Sequence, residues 1–219
     1  MQKKVQWIIC LFVFCFCFQS LATLGAVDGG GGKSVVCRNE NGEITSAEVL
    51  DLYEGRVQYG YSTYPDKQPA LVQAREVIRR IVKGRGERYV EYVDSYVLNI
   101  DSNMVLLPDG TGLKEINDSY HVIVPKYCKV EQLANFTPQN QVLVDGEIWR
   151  YLDNTNKAAL LAHEALYKVF RDFGATNSIR ARKAVAIGFA RGESEDISEG
   201  IPQNSYECHT EPNENGSPF

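Results

Sequence analysis

Residues 157–173 read KAALLAHEALYKVFRDF. Ala162, Ala165, Leu166, Val169 and Phe173 recur at three- and four-residue spacing, which predicts one apolar face of a helix. Gly174 follows as a stop, because glycine accepts the left-handed conformation that ends a helix. Asn177 or Ser178 then caps a second helix to about Ala190, stopped by Gly192. The connection Gly174–Asn177 is short, so the two helices are predicted to form an antiparallel hairpin. Glu164 and Lys168 are expected to pair one turn apart on another face of the first helix.

Upstream of the hairpin the signals alternate. Val35–Arg38 reads as a short strand, Asn39–Gly42 as a turn, and Glu43–Thr45 as a strand pairing back. Thr45-x-x-Glu48 has capping-box spacing, which predicts a helix over about 46–54 stopped by Gly55. Pro69 suits the start of a helix whose stripe is Leu71, Ala74, Ile78, Ile81 and Val82. For residues 87–97 two readings are open: Tyr89, Tyr92, Val93, Tyr96 and Val97 fit a helix, which is favoured, while their aromatic and β-branched content would also suit a strand. Met104–Leu107, His121–Val124, Lys129–Leu133 and Gln141–Val144 are strand candidates, and 145–152 a short helix. Helices and strands in separate runs predict an α+β fold: a small antiparallel sheet packed with several helices, closing with the antiparallel helical hairpin. The expected division is a signal peptide at 1–22, a Gly-rich flexible lead-in at 23–33, one α+β domain at 34–191, and a disordered polar tail at 192–219.

The signal-peptide reading rests on Lys3 and Lys4, the apolar run VQWIICLFVFCFCF at 5–18, and the small residues Ser20 and Ala22, three and one before a cut that follows Ala22 or, alternatively, Ala26. The run is shorter than the ~20 residues a membrane span needs. No stable membrane span is therefore expected after cleavage. Removing residues 1–22 leaves Cys37, Cys128 and Cys208. An exported chain meets an oxidising compartment, where one disulfide is plausible. Three pairings are open. Cys37–Cys128 is favoured because SVVCR and YCKVEQL are both strand-like; the alternative is three reduced thiols. The spacing of these cysteines does not suit a zinc site. The 219-residue chain carries 23 basic and 28 acidic residues, a formal charge of −5. That excess argues against a nucleic-acid partner, whose phosphates need a basic surface.

One pair could carry chemistry. His163-Glu164 in mid-helix resembles the H-E-x-x-H motif of zincins, in which two histidines one turn apart bind zinc and the glutamate activates a water. Here the fifth position is Tyr167. In this reading His163 is the metal ligand, Glu164 the base, Tyr167 the residue in the second ligand position, zinc the cofactor, and His121 or His209 a further ligand. The alternative is a buried histidine bracing the hairpin, with Glu164 paired to Lys168, Arg180 or Arg182. Asp94, Asp101, Asp109 and Asp118 lack a calcium-loop pattern. Arg171, Arg180, Arg182, Lys183 and Arg191 read as a solvated basic face. Tyr53, Tyr59, Tyr61 and Tyr64, with Trp149, could form an aromatic platform for sugar rings, or pack in the core and loops.

The Gly-rich lead-in, SVVCRNENGEITSAEVLDLYEG, HVIVPKYCKVEQLA and NKAALLAHEALYKVFRDFGATNSIRARK together resemble a family of uncharacterised secreted proteins of Gram-negative, especially predatory, bacteria. The resemblance implies export to the periplasm or beyond and one domain over most of 29–190. It brings no activity, ligand or catalytic residue. The first functional expectation is a non-catalytic exported domain, with no cofactor, that binds an envelope component or a protein. The second is a degenerate zincin-like metallohydrolase using His163 and Glu164. The third is a purely structural envelope protein.

Overall fold

The computed structural model describes residues 31–63, 66–116, 122–137, 139 and 141–190. Strands β1 (Lys33–Arg38) and β2 (Ile44–Val49) lead into α1 (Leu50–Gln58), α2 (Ala70–Ile81) and α3 (Glu87–Asn103). Then come β3 (Met104–Leu107), β4 (Cys128–Gln132), β5 (Ala134–Phe136) and β6 (Val142–Asp145). Helices α4 (Gly146–Arg150), α5 (Asn154–Asp172) and α6 (Ile179–Phe189) complete the described elements. The fold is α+β, as expected. The expected tail and the signal peptide lie outside the described residues.

The strands form two sheets rather than one. In the first, β1 is central and pairs antiparallel with β2 and β4. In the second, β6 is central, antiparallel to β5 but parallel to β3. A parallel pair needs a crossover, and here the chain from β3 to β6 runs through β4 and β5. The bend at Leu133 hands it from one sheet to the other: the Leu133 and Ala134 amides both donate to the Gly32 carbonyl at 2.9 Å.

Helix α5 is the axis of the core. A stripe on one face was expected, but burial runs around the whole helix from Ala158 to Tyr167, with α2, α3 and α6 on different sides. A helix covered all round carries apolar residues all round. Phe173, assigned to the stripe, instead caps the helix and is exposed. Asp153 starts α5, its side chain accepting from the Asn156 amide at 2.7 Å.

Two sequence expectations give way to packing. Residues 44–49 are strand, not the first turn of a helix, and the Thr45 hydroxyl donates to the Cys37 carbonyl instead of capping. Gly55 does not stop α1. It lies inside it, where an added Cβ would stand 3.0 Å from the Ala186 Cβ, so it sets how closely α1 and α6 approach. The last residues of the predicted lead-in are also built into the fold: Gly31 and Gly32 are buried and Lys33 opens β1. Among the other predicted strands, residues 122–124 are not in a strand, and His121 lies outside the described residues.

Cys37 and Cys128 are cross-strand partners in β1 and β4 and form a disulfide. The bridge closes a span of 91 residues. Such a span is costly to restrict only once the chain is unfolded, so the bridge raises stability chiefly by limiting the unfolded ensemble. Replacing both cysteines with alanine is expected to lower the unfolding free energy by about 2–5 kcal/mol. Urea unfolding of the variant and of the oxidised chain measures this; equal midpoints would show that the bridge adds nothing.

Candidate functional site

Helix α5 carries His163 and Glu164 inward, 1% and 0% exposed. Opposite them, α1 presents Asp51, in an otherwise apolar turn between Leu50 and Leu52. His163 Nδ1 and Asp51 Oδ1 are 2.7 Å apart, the imidazole donating to the carboxylate. Glu164 Oε1 accepts the Gly32 amide at 2.5 Å. The expected Glu164–Lys168 pair does not form: Lys168 bonds Asp172 at 2.6 Å on the outside of the helix. Arg182, expected on a solvated face, is buried in α6 and donates through Nε to Glu54 Oε2 at 2.8 Å. Tyr167 is fully buried, with its ring centroid 6.1 Å from that of His163.

Local sequence explains how these groups converge. Asp51 and Glu54 are three residues apart, which places both on one side of α1. His163 and Tyr167, four apart, share a side of α5. Along β1, alternation puts Gly32, Ser34 and Val36 on the face toward α5; an added Cβ on Gly32 would reach Leu160 and Glu164. Gln132 fixes this start of the strand from the other side, its amide donating to the Gly31, Gly32 and Ala134 carbonyls at 2.8–3.3 Å.

The cluster holds three carboxyls, one imidazole and one guanidinium. Full ionisation leaves one excess negative charge, and a single proton on Glu164 removes it. Burial pushes the Glu164 carboxyl up to about 7, against the pull of His163 and the Gly32 amide. For His163 burial acts the other way, toward the neutral ring, but the adjacent Asp51 carboxylate outweighs it and raises the imidazole to about 9. Burial likewise raises the Glu54 carboxyl, opposed by Arg182.

A nucleophilic relay is not made. Ser34 Oγ and His163 Nε2 are both buried without a hydrogen-bond partner among the described residues, so the serine is not bonded to the Asp51–His163 pair. Asp51 Oδ2 and Glu164 Oε2 are likewise without one. Among the described residues no three His, Cys, Asp or Glu side chains are grouped to hold a metal ion. His163 is the one histidine described; His121 and His209 lie outside, as does Cys208. The other candidates are scattered. Asp94 is held by Arg75 at 2.7 Å and Asp109 by Arg150 at 2.6 Å. Tyr53 is buried with its hydroxyl donating to the Ile123 carbonyl, the Tyr59 and Tyr61 rings lie tilted with centroids 5.6 Å apart, and Trp149 faces Lys157. Tyr64 is outside the described residues. Sequence reasoning missed Asp51, Glu54 and Ser34. The visible cue was the pair of acids, Asp51 and Glu54, three apart around the apolar residues Leu50, Leu52 and Tyr53.

All three raised groups, Glu164, His163 and Glu54, bind more protons folded than unfolded, so stability falls as pH rises. Glu164 loses its contribution between its ordinary 4.5 and about 7, and His163 between 6.5 and about 9. Urea unfolding from pH 4.5 to 9.5 is expected to show this continuous decline. Glu164→Gln, which mimics the protonated acid, is expected to make the lower part of the curve shallower, with Glu54 left to contribute there, and to keep the upper part; an unchanged lower part refutes the assignment. Gly32→Ala would place a Cβ 2.1 Å from Leu160 Cδ1 and 3.0 Å from Glu164 Oε1. Such overpacking is expected to cost about 1–3 kcal/mol, read from the urea midpoint at one pH.

No family model, curated protein or solved structure matches the chain.

Proposed function

We propose that the chain is an exported domain that binds an envelope component or a protein partner without catalysing a reaction. The observation that carries this reading is the inward direction of the one pair that could do chemistry. His163 and Glu164 are buried and engaged with Asp51 and the Gly32 amide, where they tie α5 to α1 and to the start of β1. Export is supported by the signal-peptide pattern at 1–22, by the resemblance to secreted proteins of Gram-negative bacteria, and by a disulfide of the kind that persists in oxidising compartments. No helix among the described residues is long and apolar enough to cross a membrane.

A second reading, the degenerate zincin, is favoured by one detail. A metal-binding histidine commonly donates its other ring N–H to a carboxylate. His163 does so to Asp51, with Nε2 unpartnered among the described residues. A zinc held there would supply Lewis acidity, and Glu164 would be placed as the base. A catalytic zinc usually takes three protein ligands, and the described residues offer one histidine nitrogen.

The test uses the chain from residue 23 onward, purified without chelators, with isolated membranes and sacculi of a Gram-negative bacterium. Saturable co-sedimentation, kept in Glu164→Gln and without stoichiometric zinc, is the expected result. About one zinc per chain, kept in Glu164→Gln while hydrolysis of peptides or peptidoglycan is lost, would replace it with the hydrolase. Neither sedimentation nor zinc would overturn both.

A further inference from the structure

The outer side of α3 forms one wall of a cleft of about 580 Å³ that also reaches Phe136 in β5 and Lys168 in α5. That volume falls in the range of small-ligand sites, roughly 300–1,000 Å³. Aromatic groups come from Tyr92, Tyr96 and Phe136, and amide groups from Asn99, Asn103 and Gln139. Tyr92, Tyr96, Asn99 and Asn103 are spaced four, three and four apart, so they share one helical face. At 1.5 Å per residue the row is about 16 Å long, the reach of a short oligosaccharide. A second cleft beside Tyr89 continues from Tyr92 toward the start of α3.

We propose that this cleft binds a short neutral glycan, and the proposal rests on the binding-domain reading above. The chemistry of the lining selects the occupant. The Tyr92 and Tyr96 rings stand edge to face, 5.0 Å apart, with their hydroxyls 3.1 Å apart. Tyr92 is 40% exposed, so it offers ring surface to a ligand. Aromatic faces accept the apolar faces of sugar rings, and the tyrosine hydroxyls add a polar handle. Each side-chain amide both donates and accepts, which matches a hydroxyl or an acetamido group that does the same.

Charge argues against an anionic ligand. In the first cleft the single lining cation, Lys168, is already bonded to Asp172 at 2.6 Å and stands 5.3 Å over the Tyr96 ring; Arg85 and Arg88 line only the second cleft, together with Glu87. Asp172 also accepts from the Tyr96 hydroxyl at 3.1 Å. A protein helix would need apolar anchors at helical spacing. Here the fully apolar lining is limited to Phe136 and Ile100, both nearly buried at the floor.

The probes are chitotetraose and cellotetraose, neutral tetramers with and without acetamido groups, titrated calorimetrically into the chain from residue 23 onward. At least one is expected to bind with millimolar or better affinity. Tyr92→Ala is expected to weaken it tenfold or more, and Tyr92→Phe, which keeps the ring, less than threefold. Circular dichroism and the urea midpoint verify that both variants fold. Binding of chitotetraose alone assigns an acetamido glycan; binding of both assigns recognition by ring faces. No binding of either tetramer, or binding indifferent to Tyr92→Ala, overturns the proposal. Co-sedimentation with membranes or sacculi, measured on the same preparation, separates the two levels. If it persists without tetramer binding, the glycan is wrong and the binding-domain reading stands; if both are lost, both fall.

Discussion

A carboxylate that accepts one backbone amide organises this molecule. Glu164 sits in the most enclosed part of α5, and the amide it accepts belongs to Gly32, at the threshold of the central strand. An isolated charge in such a place would be expensive. Here Asp51 and Glu54 from α1 and Arg182 from α6 meet His163 of α5 and balance one another, and burial favours the protonated form of Glu164, which adds no net charge. Their positions are mutually dependent. Moving α1 by one turn would separate Asp51 from His163 and Glu54 from Arg182 together.

Such a cluster is weak as a source of net stability, since desolvation offsets most of the attraction. Its stronger effect is on specificity. Apolar faces alone would let α1, α5 and α6 slide or rotate past one another with small penalties. Buried charges that fit one partner each leave few alternatives. Gly55 against Ala186 adds a steric limit to the same contact. The closeness of α1 and α6 and the match of their charges thus come from adjacent residues of one helix turn.

The parts legible in the sequence were those governed by period and termini. The stripe of α2, the long helix α5 and the hairpin with α6 follow from local spacing; spacing only favoured a helix over 87–97, where α3 runs on to Asn103, and strand-like context only favoured Cys37–Cys128 among three pairings. The rest was decided by contacts distant in sequence. Glu164 looks like a partner for Lys168 on a helical wheel, yet its actual partner is an amide 132 residues away. Gly31 and Gly32 lie in a run that composition assigns to a flexible lead-in. Their lack of side chains is instead what lets β1 start so close to Ala134 and Leu160. The three residues of β5 are too few to show a period, and a capping pattern at Thr45 was overridden by pairing with β1.

The covalent link between β1 and β4 also changes what cleavage of the chain means. Helices α1, α2 and α3 and strand β3 all lie between Cys37 and Cys128. A protease that cuts any connection in that interval yields two polypeptides still joined by sulfur. Both retain their places in the first sheet, because the bridge sits where β1 and β4 pair. The domain can therefore be nicked there and remain one particle, and its size under non-reducing conditions reports nothing of the damage.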